Sequence, residues 1–171
     1  MFSRNKKTMI SWSAVLLWML LIFIFSAQPG KQSNNLSEKV SVTIMEPDKQ
    51  PAVKNNKQAA VLLEDINHVI RKSAHFSAYL ILGILVVNAL KSSEIKVNKL
   101  FWIALIICML YSSSDEFHQM FVPGRTALVT DVMIDTTGAI IGIIIYCIIT
   151  RIVTQRRNCK ERKNHIQEQA I

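Results

Sequence analysis

Between Lys7 and Lys31 the sequence has no charged side chain, and from Met9 to Ala27 it is almost wholly apolar. Three later stretches, Ser73 to Leu90, Leu100 to Ser114 and Thr136 to Thr150, are likewise free of Asp, Glu, Lys and Arg. About 20 apolar residues in a helix cross the ~30 Å hydrocarbon core of a bilayer. A backbone inside that core must satisfy its own hydrogen bonds, so each stretch is expected to be helical. The fold expected is therefore an all-α integral membrane protein, a four-helix transmembrane bundle with a long extracytoplasmic loop between helices 1 and 2. For the first stretch a signal peptide is the alternative, because Arg4, Lys6 and Lys7 resemble an n-region. The length of the apolar run and the bulky Phe25 at the −3 position of the only suitable cleavage point, after Ala27, oppose it.

Composition agrees with that class. Half of the 171 residues are hydrophobic and 19% are charged, yet the net charge is +8. The basic residues sit in blocks at the edges of apolar runs rather than along one amphipathic face, which argues against nucleic acid as a partner. They also set an orientation, since short cytoplasmic segments collect Lys and Arg. One side receives Arg4, Lys6, Lys7, then Lys91, Lys96, Lys99, then Arg151, Arg156, Arg157, Lys160, Arg162 and Lys163. The other receives Lys31, Lys39, Lys49, Lys54, Lys57, Arg71, Lys72 and Arg125, fewer and spread over longer loops. Both termini are expected on the cytoplasmic side of a bacterial cytoplasmic membrane. The organisation expected is a cytoplasmic N-terminus (1–8), a membrane domain (9–150) and a basic cytoplasmic tail (151–171). That tail suits anionic headgroups or lies solvated. Of three cysteines, Cys108 and Cys147 lie in apolar runs and Cys159 in the tail, so no disulfide framework is implied.

The later runs are short for a bilayer, so neighbouring polar residues must be drawn into the helices. Spans of about 9–28, 71–90, 100–119 and 131–150 follow, with external loops 29–70 and 120–130. In the first loop Pro47 and Pro51 break any long helix, and Leu36, Val40 and Ile44 permit one short surface helix. Leu62, Ile66, Val69 and Ile70 form an apolar stripe expected to run into the second span, lying on the membrane or against its own bundle.

This register gathers polar side chains at the outer ends of all four spans: Ser26 and Gln28; Arg71, Lys72 and His75; Asp115, Glu116, His118 and Gln119; Arg125, Asp131 and Asp135. Arg71, His75 and Tyr79 can share a helix face, as can Tyr111, Asp115 and His118. Asp131, Asp135, Gly138 and Gly142 make a third stripe, whose glycines form a small-xxx-small surface for close helix approach. Val122-Pro123-Gly124-Arg125 reads as a turn that returns Arg125 toward the carboxylates. Three readings compete. The charges could compensate one another as a structural network. Arg71, Lys72, Gln119 and Arg125 could bind an anionic headgroup. His75, Asp115, Glu116 and Asp131 could do acid–base chemistry on a lipid-linked substrate, as a hydrolase or transferase. No metal or cofactor is required, since the spacing matches no recognised metal signature; Asp115, Glu116, Asp131 and Asp135, with His75 or His118 nearby, are the residues that could hold a divalent cation.

Several ordered motifs here resemble the VanZ-like family of bacterial membrane proteins. They are Phe25-Ser26-Ala27-Gln28; Arg71-Lys72-Ser73-Ala74-His75-Phe76 with Tyr79; Asp115-Glu116-Phe117-His118-Gln119 with Phe121; Pro123-Gly124-Arg125; and Asp131-Val132 followed by Gly138 and Gly142. The resemblance runs from the first span through the fourth and leaves the outer loop and basic tail unmatched. Lys72, His75, Asp115, Glu116, Gln119, Arg125 and Asp131 fit the family pattern, while Asp135 stands where that pattern often has Asn. The family is named for a protein that raises resistance to the glycopeptide teicoplanin. The resemblance therefore implies an envelope role, with membrane lipids, a cell-wall precursor or the glycopeptide itself as partners. It does not imply a reaction or an oligomeric state.

Overall fold

The computed structural model describes residues 2–28, 57–123, 125 and 128–169. Within them the chain forms four helices, α1 (Phe2–Ser26), α2 (Lys57–Ser92), α3 (Val97–Gln119) and α4 (Val129–Gln169), and no strand. Each contains a segment long and apolar enough to cross a membrane: Asn5–Ser26, His68–Ser92, Lys99–Gln119 and Val129–Arg162. The possible short helix at Leu36, Val40 and Ile44 lies outside the described residues. The stripe at Ile66, Val69 and Ile70 belongs to the same unbroken helix as the second span, because α2 begins at Lys57. At the other end of the chain α4 continues through the basic segment to Gln169 without a break.

The distribution of polarity is the reverse of a water-soluble bundle. Leu16, Leu17, Ile24, Trp102, Leu110, Phe117, Met133 and Ile149 are all exposed, whereas Ser26, Ser112, Asp115, Glu116, Gln119 and Asp135 are buried. In water such a surface would be an aggregation hazard; against lipid it is the ordinary state. Of α1's described side chains only Val15, Ile22 and Ser26 are buried, a narrow seam at helical spacing along the face toward α2 and α3.

In a solvent as apolar as leucine, helices associate by close packing and hydrogen bonds rather than by hydrophobic burial. Here α2 touches all three other helices, most extensively α4. A Cβ on Gly138 would run into the Phe76 carbonyl oxygen, and one on Gly142 into that of Leu80. A Cβ on Gly83 would meet the Ala139 carbonyl. The two backbones thus pass in direct contact over two successive turns, with glycine supplied alternately from each side. The stripe of Gly138 and Gly142 marks this contact in the sequence; Gly83 completes it from the facing helix.

Polar bonds fix the end of the bundle remote from the carboxylates. Thr8 Oγ1 donates to the Ser92 carbonyl at 2.8 Å, Trp12 Nε1 to Ser93 Oγ at 3.1 Å, and Tyr146 OH to Asn88 Oδ1 at 2.9 Å. In mid-membrane, Trp18 Nε1 donates to the Ala78 carbonyl at 2.9 Å and Tyr111 OH to that of Met19. The three cysteines are unlinked, Cys108 buried and the other two exposed.

Because the Gly142 contact is backbone against backbone, neither side can yield by a change of rotamer. Gly142→Ala is expected to lower stability in detergent by about 1–3 kcal/mol. Ile145→Ala, on the lipid-facing side of the same helix, should cost far less in the same thermal unfolding measurement.

Candidate functional site

The last turn of α1, the middle of α2, the last turns of α3 and the first turns of α4 meet at one end of the bundle, and their polar side chains face inward. On α3 the buried face reads Cys108, Ser112, Asp115, Glu116 and Gln119. Asp115 is 2% exposed. Its Oδ2 accepts from Ser26 Oγ at 2.9 Å and from Gln119 Nε2 at 3.3 Å, and the Gln119 amide also donates to Ser26 Oγ at 2.6 Å. Ser26, Asp115 and Gln119 therefore form a closed hydrogen-bonded triangle that joins α1 to α3. On its far side the Gln119 Oε1 accepts from an Arg125 Nη atom at 3.0 Å.

Arg125 enters through the turn that begins at Val122, whose carbonyl accepts the Arg125 N–H at 3.2 Å. Its Nε donates to the Gln28 carbonyl at 3.2 Å, so one guanidinium ties the end of α1 to the end of α3. Partial burial, and the neighbouring Arg71 guanidinium, hold its pKa below the usual arginine value; Asp115 and Glu116 act in the opposite direction.

Lys72 and Asp131 make an ion pair of 2.8 Å between α2 and α4. One turn deeper, His75 Nδ1 lies 3.8 Å from Asp135 Oδ2, an oxygen that also accepts from Ser112 Oγ at 3.4 Å. Asp135 is 1% exposed. Glu116 turns toward the start of α4, where its Oε2 accepts the Leu128 N–H at 3.2 Å. A carboxylate there satisfies one of the unpaired donors of a helix N-terminus and complements its dipole.

A cavity of about 60 Å³ opens among these groups, lined by Arg71, Lys72, His75, Glu116, Gln119, Arg125, Asp131, Ile134 and Asp135. The Arg71 side chain has no hydrogen bond or ion pair to any described residue, although it lines the cavity beside Arg125. Beside it, between α1 and α2, runs a second and larger space of about 530 Å³ whose walls include Trp18, Ile22, Phe25, Ala74, Ala78 and Ile81. Arg71, His75 and Arg125 border both.

Every residue singled out in the sequence as a headgroup ligand or acid–base candidate lies at this end, but they do different things. Arg71, Lys72, His75, Glu116, Gln119, Arg125, Asp131 and Asp135 line the polar cavity, and Asp115 sits against it behind Gln119 and His75. Tyr111, Asp115 and His118 share the face of α3 toward α1, where Tyr111 OH donates to the Met19 carbonyl, Asp115 accepts from Ser26 and the His118 ring stacks on Phe23 at 4.5 Å; His118 is not among the residues lining the cavity. The α3 helix turns Ser112, Asp115 and Gln119 inward, which leaves His118 on the flank toward α1. Ser112 was not singled out in the sequence. The signal was present, since Ser112, Asp115, Glu116 and Gln119 occupy i, i+3, i+4 and i+7 of one helix.

Gln119→Leu removes both the donor to Ser26 and Asp115 and the acceptor for Arg125. It is expected to lower the thermal stability of the purified protein by about 1–3 kcal/mol, the cost of leaving buried polar partners unsatisfied.

Neither the curated proteins nor the solved structures compared with this chain include a match. A family model does match, that of VanZ/LLP1, over residues 11–150, which reaches into all four spans and takes in every residue of the polar end described above. With four helices able to cross a bilayer and most of its length matched, this chain is a multi-pass membrane protein that belongs to the VanZ/LLP1 family.

Proposed function

We propose that the polar end of the bundle faces outward from the bacterial cytoplasmic membrane and binds the anionic headgroup of a lipid or a lipid-linked cell-wall precursor. The observation that supports this most is the incomplete pairing of the basic groups. A purely structural network would match Arg71, Lys72 and Arg125 with the four carboxylates. Among the described residues Lys72 alone forms such a pair, with Asp131. Arg125 is held by two neutral acceptors and Arg71 by none among the described residues. Two adjacent guanidiniums without a carboxylate between them favour a phosphate or carboxylate that both can reach in bidentate fashion.

A lipid fits better than a free anion because the apolar space between α1 and α2 borders the same two arginines. A headgroup at Arg71 and Arg125 would leave its hydrocarbon chain beside Ile22, Phe25, Ala78 and Ile81, in surroundings like the bilayer it came from. Gln119 acts through Arg125, which it orients, rather than as a ligand itself. In the envelope, holding such lipids would alter what a glycopeptide with a fatty chain meets at the membrane, a route to the teicoplanin resistance for which the family is named.

Lipids that copurify with the full-length protein in mild detergent, identified by mass spectrometry, test this reading. Wild type should be enriched in anionic or polyprenyl-phosphate lipids. Arg71→Gln and Arg125→Gln should each reduce the enrichment by about 10-fold, as expected for loss of a charge-assisted bond. Enrichment that survives both changes would count decisively against it. Orientation has its own check. With the native cysteines replaced, a cysteine at the exposed Pro123 position should be labelled from outside intact cells, and one at Lys160 only after permeabilisation.

A further inference from the structure

Three helices each bring one metal-ligating side chain to the polar end: His75 from α2 and Asp135 from α4, which line the cavity, and Asp115 from α3, just behind its wall. One ligand atom from each lies within 4.8 Å of the other two. We infer that His75, Asp115 and Asp135 hold one divalent transition-metal cation.

Four features of the structure support the site. First, the two carboxylates are nearly sealed from solvent, and neither has a lysine or arginine in hydrogen-bond or ion-pair contact among the described residues, since Lys72 pairs with Asp131 and Arg125 with Gln119 and Gln28. Two buried carboxylates facing one imidazole leave negative charge in a medium that solvates it poorly. Second, Asp115 Oδ1 is buried with no hydrogen-bond partner, while its Oδ2 is fully used by Ser26 and Gln119. A free oxygen on an otherwise anchored carboxylate is the arrangement a first-row cation needs. Third, the anchors are in place. Ser26 and Gln119 orient Asp115, and Ser112 orients Asp135, the kind of outer support that metal ligands ordinarily have. Fourth, Asp135 and His75 also line the cavity, so positions on the cation remain open toward Arg71 and Arg125.

Ligand atoms around one such cation stand about 3–4 Å apart at bond lengths of about 2.1 Å. Small side-chain rotations would therefore close the present spacing. One imidazole nitrogen with two carboxylates suits Mn²⁺, Fe²⁺ or Zn²⁺ better than the all-oxygen sites of Mg²⁺ or Ca²⁺. Asp131 and Glu116, which the sequence offers as equal candidates, are occupied by Lys72 and by the Leu128 N–H. The inference does not depend on the headgroup reading, and its test does not involve lipid.

The experiment is Mn²⁺ titration of full-length, chelator-treated protein in detergent, followed by electron paramagnetic resonance, with Zn²⁺ as competitor. One saturable site per chain is expected, with nitrogen modulation from a single imidazole in the bound-Mn²⁺ signal. Asp115→Asn and Asp135→Asn should each weaken binding by at least about 10-fold, and His75→Gln should abolish the nitrogen modulation. Glu116→Gln and Arg71→Gln, in the same cavity, should retain the site. Size-exclusion profiles establish that the variants are folded. Absence of a saturable site in wild type, absence of nitrogen coupling, or unchanged affinity in folded Asp115→Asn and Asp135→Asn protein would each overturn the inference. The wild-type measurements decide it even where a variant does not fold.

Discussion

The backbone contact between α2 and α4 sets the geometry of everything above it. Gly138 and Gly142 admit the carbonyls of Phe76 and Leu80, and Gly83 admits that of Ala139. Because both helices run in the same direction, this contact also fixes their register. Pairs one and two turns nearer the polar end, His75 with Asp135 and Lys72 with Asp131, follow directly from it. Moving the helices apart by the width of one methyl group would separate both pairs. A site made of short, directional groups requires such rigid support.

The other two helices are tied in by hydrogen bonds instead. The Ser26–Asp115–Gln119 triangle and the Arg125 bridge to Gln28 join α1 and α3 beside the Phe23–His118 ring contact. Such bonds are worth making in hydrocarbon because the unpaired alternative is costly, although their measured net value between membrane helices is modest. One consequence is a division of labour at the polar end. Asp131, Glu116 and Gln119 are committed to partners within the bundle, whereas Arg71 and Asp115 Oδ1 have none among the described residues. The unsatisfied groups, rather than the full set of charges, are what a ligand would recognise.

Among the described residues, charges of opposite sign that share no direct ion pair lie on opposite sides of the same cavity. The guanidiniums of Arg71 and Arg125 border both the cavity and the apolar space between α1 and α2, while the carboxylates of Asp115 and Asp135 lie behind them against α3 and α4. A chain that needed only structural ion pairs could have joined these groups directly. Their separation by Gln119 and His75 is consistent with a site that takes an anion on one side and a cation on the other.

The helical class, the four spans and the collection of polar residues at one end were legible in the sequence, because uncharged runs of that length leave a backbone no alternative in a membrane and because helix ends inherit the residues that flank them. The glycine stripe on α4 was legible for the same reason, as a period along a single helix. What periodicity could not supply was the partner of each group. That Gly83 answers Gly138 and Gly142, that His118 stacks on Phe23 instead of joining the carboxylates, and that Ser112 supports Asp135 all depend on the rotation of one helix against another. Lys72 and Arg71 are adjacent and equally basic in the sequence, yet among the described residues only Lys72 meets a carboxylate. That distinction arises because successive residues on a helix point about 100° apart, so it was the packing of α2 against α4 that decided which of the two charges meets Asp131.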